Sequence, residues 1–254
     1  AELSVIPGTG WLQAQDASIW VSSERLSEWE LESINTDEWL GTYATATVLE
    51  VTKELNGPII NLHDRFRALL TDKAPGFMAK LQSEKVIAIR YEDRYLRSPW
   101  TVMLLAGFMQ VIPKDGVESV TIETVAAPVG HAGVNLWDNW NNYQDMEEVL
   151  EGWVSALIGI HPVINTRKSL AEVSHRRVLT LELESGTQLK LAFDQGMGYW
   201  KCSADAYGLK RFDYNQPIMG QVKQMLDSWN GIRLSHGGEW PTDIALYEVS
   251  AEDK

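Results

Sequence analysis

The sequence contains little cysteine and no apolar run long enough to cross a membrane. Cys202 is the single cysteine, so an intrachain disulfide and a zinc site built from paired cysteines are both excluded. This cysteine content is typical of a reducing compartment, and we predict a cytoplasmic location. The most continuous apolar run, residues 99–112, is shorter than the roughly 20 residues that span a bilayer. We therefore expect no transmembrane segment.

Positive charge is also scarce, since 22 Lys and Arg face 35 Asp and Glu and the net charge is −13. A protein that coats nucleic acid needs a surplus of Lys and Arg on one face. The composition excludes that role and leaves nucleic acid only a local basic pocket. No histidine has a partner at metal-ligand spacing, and no Walker-type phosphate loop is present. We predict no metal, no cofactor and no NTPase activity.

Apolar periodicity indicates a domain that contains both helices and strands. Leu179, Leu181 and Leu183 alternate with polar residues before Ser185-Gly186, and the same alternation follows this turn, which predicts a hairpin. The order helix, strand, helix, strand, helix, strand, hairpin, helix predicts an α/β layered domain with a mixed sheet flanked by helices. We assign this domain to residues 61–230, with an N-terminal extension at 1–60 and a C-terminal tail at 231–254.

The segment His175-Arg176-Arg177 precedes the predicted hairpin and is one candidate site. A neutral imidazole beside cations can attack a phosphodiester, with His63 as the general acid. The alternative is that His175 packs at a strand start while the arginines pair with local carboxylates. His63-Asp64 likewise fits the start of a helix, where the dipole favours an acidic residue.

Arg94 and Arg97 follow the buried strand predicted in "KVIAIRYED". Ser98-Pro99 comes next and resembles an N-cap with Pro at the first position of an apolar, buried helix. The carboxyl end of a strand in an open α/β sheet is a favoured place for ligand groups, so either arginine can bind an anion there. An ordinary loop with internal ion pairs explains them equally well. Gly196 and Gly198 follow a hairpin strand, whereas the glycines of a nucleotide-binding loop open a helix. We therefore predict a tight turn that places Tyr199-Trp200, and not a nucleotide-binding loop.

Trp137 and Trp140 lie in an Asn-rich segment that has no apolar periodicity. Exposed Trp side chains are common at the energetic centres of protein interfaces, and an acidic chain suits a partner with a basic face. The two tryptophans are therefore candidate partner-binding residues of an interaction domain.

Two motifs give the chain a resemblance to a known family. In the first, a strand ends in Ile89, Asp93, Tyr95 and Leu96 before an apolar helix. The second motif comprises His175, Arg177, Leu179, Gly186, Lys190, Asp194, Gly196, Gly198, Tyr199 and Trp200. Over residues 64–230 the chain resembles the phospholipase D-like C-terminal domain of proteins that carry an MIT (microtubule-interacting and trafficking) domain.

The resemblance implies a phospholipase D-like fold that lacks the full pair of catalytic His-x-Lys motifs. Both His63 and His175 have Arg at the second following position. In that family the degenerate site is associated with acidic phospholipid head groups and partner proteins. We therefore predict a non-catalytic module that binds a partner protein or an anionic, phosphate-bearing ligand, and a phosphodiesterase or nuclease is the alternative. The predicted ligand-binding residues are Arg94, Arg97, His175, Arg176, Arg177 and Lys190.

Overall fold

The computed structural model describes residues 46–125, 143–169, 172–173, 177–204, 213, 215–238 and 240–250. Ten strands and five α-helices are present in this part of the chain. The strands are β1 (Thr47–Val51), β2 (Gly57–Pro58), β3 (Val86–Glu92), β4 (Ser119–Val125), β5 (Val163–Arg167), β6 (Val178–Leu183), β7 (Gln188–Phe193), β8 (Lys201–Ala204), β9 (Ile232–Ser235) and β10 (Thr242–Val249). The helices are α1 (Leu62–Lys73), α2 (Pro75–Ser83), α3 (Pro99–Met109), α4 (Tyr143–Ile158) and α5 (Ile218–Asp227).

Seven strands form a mixed sheet in the order β1-β10-β7-β6-β3-β4-β5. The pairs β3–β4 and β4–β5 are parallel, and the other neighbours are antiparallel. A second sheet, β2-β9-β8, is antiparallel. The predicted α/β class with a mixed sheet flanked by helices is thus confirmed, as is the hairpin of β6 and β7.

Two strands of the large sheet lie outside the domain that we assigned to residues 61–230. β1 (Thr47–Val51) was placed in the extension and β10 (Thr242–Val249) in the tail, yet β10 pairs with both β1 and β7. Six of the eight residues of β10 are buried, so this strand lacks the alternation by which a half-exposed strand is recognised.

Helix α3 lies at the centre of the core, and each of its residues is buried. One apolar cluster joins it to the other helices and to one face of the large sheet, where Leu49, Tyr91, Leu181 and Leu191 project. The opposite face carries a smaller group that includes Ala192 and Tyr247. Among the described residues, no helix has the length and hydropathy of a membrane span.

Candidate anion-binding site

Asp93 follows β3 directly and places a carboxylate inside the protein, where it is 1% exposed. The hydroxyl of Tyr91 donates to Oδ2 at 2.9 Å, and the backbone N–H of Tyr95 donates to Oδ1 at 2.7 Å. Burial raises the pKa of the Asp93 carboxyl, while these hydrogen bonds and the charges of Arg177 and Arg94 oppose that rise. The Asp93 side chain is therefore hydrogen-bonded to Tyr91 and Tyr95 and lies within the electrostatic influence of Arg177 and Arg94.

Three arginines gather around the ring of Tyr95. The guanidinium carbons of Arg97, Arg177 and Arg94 lie 5.0, 5.1 and 5.3 Å from the ring centroid. Each distance is within the range of a cation–π interaction. The arrangement concentrates positive charge beside one aromatic side chain, and we call these four residues the arginine cluster.

Arg177 reaches the cluster because the turn at Gly196 leaves room for it. Gly196 has a φ of +66° and a ψ of −170°, a conformation almost confined to glycine. A Cβ atom here would overlap Cδ of Arg177 and lie 3.3 Å from Oδ2 of Asp93. The Arg177 guanidinium donates to the carbonyl of Asp194. The predicted tight turn is confirmed, and its packing role is to hold Arg177 against Asp93.

The start of α3 lies beside the arginine cluster and has a complete capping box. The backbone N–H of Thr101 donates to Ser98 Oγ at 3.4 Å, and the N–H of Ser98 donates to Thr101 Oγ1 at 3.3 Å. Pro99 occupies the first helical position, as the sequence predicts. The N-terminus of a helix favours negative charge, because its dipole and free N–H groups are directed there.

A cavity of about 500 Å³ opens at this helix start. It is lined by Tyr95, Arg97, Ser98, Trp100, Thr101, Gly198, Trp200 and Lys201. Two of these residues are cationic and none is acidic. In the part of the chain that the structure describes, neither Arg97 nor Lys201 forms an ion pair. An anion in the cavity would therefore meet two available positive charges and the positive end of α3.

Buried aromatic side chains form the rigid wall of the cavity. Trp100 donates its indole N–H to the carbonyl of Trp200 at 2.9 Å, and both side chains are 3% exposed. Trp200 also packs against Phe108 in α3, with ring centroids 5.3 Å apart. These contacts fix β8 to α3, so Lys201 at the start of β8 has a defined position relative to Ser98.

The predicted site residues separate into three groups. Arg94, Arg97 and Arg177 come together around Tyr95. Lys190 lies on the sheet face opposite the helices, with its ammonium 5.9 Å from the Tyr247 ring centroid. Four other candidates, His175, Arg176, Trp137 and Trp140, lie outside the described residues.

His63 lies in the first turn of α1 and contacts the carboxylate of Asp64 at 3.3 Å. Its neighbour Leu62 packs against Gly107, near the end of α3. Gly107 is about 13 Å along the helix from Ser98, at 1.5 Å of rise per residue. The reading of His63-Asp64 as a helix start is confirmed, and this start is far from the cavity.

Sequence reasoning missed Lys201 and the role of Ser98 in the cavity. Ser98-Pro99 was recognised as a cap, but its neighbours across the fold were not. A signal was present, because Lys201 directly follows the Tyr199-Trp200 pair that the turn places. What the sequence did not contain was the hydrogen bond from Trp100 to Trp200, which brings that pair to the start of α3.

The fold and the cavity define a mixed α/β domain with a candidate anion site. A family model described as the C-terminal domain of the DEAD/DEAH box helicase YjiV matches residues 45–248. The match spans most of the chain, and the chain therefore belongs to this family. The comparison with curated proteins found no match.

This family assignment shows that the predicted identity as a phospholipase D-like, MIT-associated domain is wrong. The residues that produced the resemblance have structural roles of their own. Asp93 accepts hydrogen bonds from Tyr91 and Tyr95, and Gly196 leaves space for Arg177. Short motifs of this kind satisfy local packing and hydrogen bonding, needs that unrelated folds share, so they do not identify a family.

Proposed function

We propose that this domain is a non-catalytic binding module that receives a phosphate group in the cavity at the start of α3. The module belongs to a family named for a DEAD/DEAH box helicase, and we propose that it serves such a helicase as an accessory domain. In that case the phosphate-bearing ligand is a nucleic acid, because a helicase acts on nucleic acid. We also propose a cytoplasmic location, because a chain with a single cysteine, Cys202, suits a reducing compartment.

The observation that carries this proposal is the charge of the cavity lining. Arg97 and Lys201 line the cavity beside the capped N-terminus of α3, and no lining residue is acidic. This is unexpected in a chain with a net charge of −13. Arginine suits phosphate because its planar guanidinium can donate two parallel hydrogen bonds.

The arginine cluster adds support behind the cavity wall. Arg94 and Arg177 share the Tyr95 ring with Arg97, and their like charges repel one another across short distances. Asp93 is the buried carboxylate among them. Binding of an anion would add a negative charge beside these cations and reduce their repulsion.

The rival phosphodiesterase function requires His63 and His175 within hydrogen-bond reach of one phosphate. His63 contacts Asp64 and belongs to a helix start beside the far end of α3. None of the cavity-lining residues is a histidine or cysteine. These observations favour binding over catalysis. Hydrolysis of bis(4-nitrophenyl) phosphate that is lost in His175→Ala would contradict the non-catalytic proposal.

The direct test is calorimetric titration of the full chain with pyrophosphate. We expect binding to the wild type and at least a tenfold loss of affinity in Arg97→Gln and in Lys201→Gln. The matched control is Arg90→Gln, because Arg90 is exposed but already paired with Glu92 and Glu123. Equal affinity in all three variants, with unchanged circular dichroism, would show that the cavity is not the binding site.

A further inference from the structure

We infer that the ligand of this cavity is a single-stranded nucleic acid, which continues from the cavity over the β2-β9-β8 sheet and stacks a base on Trp240. The inference rests on the proposed function, because it begins from a phosphate held by Arg97 and Lys201. To the proposed function it adds the class of ligand, the path of that ligand over the small sheet and a contact with Trp240. Three features of the described residues carry it.

The first feature is a cationic path on the small sheet. Lys201 on β8 pairs with Ser235 on β9, and Arg233 lies two residues before Ser235. Ile232 and Leu234 are buried, so Arg233 and Lys201 project from the opposite, solvent-facing side. Diagonal neighbours of this kind have Cα atoms about 7–8 Å apart. The two charges therefore continue outward from the cavity.

The second feature is that Arg233 is not neutralised locally. No described carboxylate forms an ion pair with it. Its charge also acts on a second cation, because burial and then the proximity of Arg233 lower the pKa of Arg65. Within the described part of the chain, Arg233 therefore adds an unpaired positive charge to the solvent-facing side of the small sheet, where a polyanion would stabilise it.

The third feature is Trp240, whose side chain is 77% exposed. The hydroxyl of Tyr199 donates to the carbonyl of Trp240, and the Tyr199 ring packs edge-on against His236 at 5.1 Å. Tyr199 lies between Gly198 and Trp200, both of which line the cavity. The backbone of Trp240 is therefore held beside the cavity wall, and its indole is exposed to solvent.

Cations alternating with an exposed aromatic ring are the pattern by which proteins hold single strands. The backbone follows the positive charges, and a base stacks on the ring in a manner that tolerates any sequence. In this domain Lys201 and Arg233 supply the positive charges, and Trp240 supplies the exposed ring.

The test is fluorescence anisotropy of the full chain with 5′-labelled oligothymidylates of 4, 8 and 12 nucleotides. We expect affinity to rise with length and to exceed that for a blunt 12-base-pair duplex. Trp240→Ala should weaken binding of the 12-mer about tenfold, within the effect of losing one stacked base. Arg233→Gln should reduce the slope of log affinity against log salt by about 0.7.

A matched control is Met219→Ala, because Met219 is a 55% exposed apolar side chain on α5; its affinity should be unchanged. The inference is overturned if Trp240→Ala and Arg233→Gln bind the 12-mer like the wild type, or if poly-glutamate competes as well as oligothymidylate. In those cases pyrophosphate binding that depends on Arg97 would leave the proposed function intact. Failure of the wild type to bind pyrophosphate or any oligonucleotide would contradict both.

Discussion

Arg90 lies in β3 and Arg97 lies just after the end of this strand, and the two arginines differ in their neighbours. Arg90 projects from β3 and lies 2.8 Å from a Glu92 oxygen and 2.9 Å from a Glu123 oxygen. Arg97 instead faces the Tyr95 ring and a cavity with no acidic lining. Carboxylates outnumber cations in this chain, so a cavity that two cations line without an acidic neighbour contrasts with the paired surroundings of Arg90. This contrast at the start of α3 is the basis of the anion site that we propose there.

The largest expected effect comes from breaking the turn that supports the arginine cluster. Gly196→Ala forces a side chain into a conformation almost confined to glycine and into the space of Arg177. We expect a loss of about 3 kcal/mol in the free energy of unfolding. Urea denaturation measures it. Gly76→Ala is the control, because nothing lies within 4 Å of its Cβ position; a loss of stability in this control equal to that in Gly196→Ala would contradict the explanation.

Asp93→Asn tests the buried charge of the same region. The two carboxyl oxygens of Asp93 accept hydrogen bonds from Tyr91 and Tyr95, whereas Asn has only one side-chain oxygen. One donor therefore loses its acceptor, and the variant should be about 2 kcal/mol less stable. The folded pKa of Asp93 is raised above its ordinary value of 3.8, so the native state holds this proton more tightly than the unfolded state. The stability advantage of the wild type over Asp93→Asn should therefore be largest at low pH. It should fall as the pH rises from 3.8 through the raised pKa of the folded state.

Denaturation of both proteins between pH 4 and pH 7 measures this difference. An advantage that grows with pH would mean that the surrounding arginines outweigh burial and that the folded pKa is lowered. On the side of the sheet that carries Arg90, Glu92→Gln is the control. Glu92 is partly exposed and pairs with Arg90, so this variant compares a surface carboxylate with the buried one.

Ser98→Ala tests the cap that directs the start of α3 at the cavity. Removal of the side-chain acceptor leaves the N–H of Thr101 without its partner, and we expect a loss of about 1 kcal/mol. The control is Ser83→Ala at the end of α2, where the hydroxyl donates to the carbonyl of Lys80, and its effect should stay within about 0.5 kcal/mol. Thermal unfolding of both variants distinguishes a cap from an ordinary surface serine.

Local patterns were sufficient to predict much of this fold. The alternation around Ser185-Gly186 predicted the hairpin of β6 and β7, and Ser98-Pro99 predicted the start of α3. The rule that ligand groups follow strand ends placed Arg94 and Arg97 at a candidate site. These features depend on residues close together in the chain, so their signals survive in the sequence.

Long-range pairing explains what was missed. β10 is defined by its position between β1 and β7, which are distant along the chain, and it is buried on both faces. Lys201 reaches the cavity only because Trp100 bonds to Trp200 across the core. Trp240 depends in the same way on Tyr199. The family was missed because short motifs at a strand end and a glycine turn reflect packing requirements common to many folds.

The smallest expected change in the free energy of unfolding is that of Arg90→Gln, at the arginine that is paired with carboxylates. Arg90→Gln removes both contacts with Glu92 and Glu123, but Arg90 is 51% exposed and water screens the pairs. We expect a loss of about 0.5 kcal/mol that shrinks further in 1 M NaCl. Urea denaturation at low and high salt measures it. A loss above about 2 kcal/mol, independent of salt, would show that pairing on the sheet face is structural, and the contrast with Arg97 would then need another explanation.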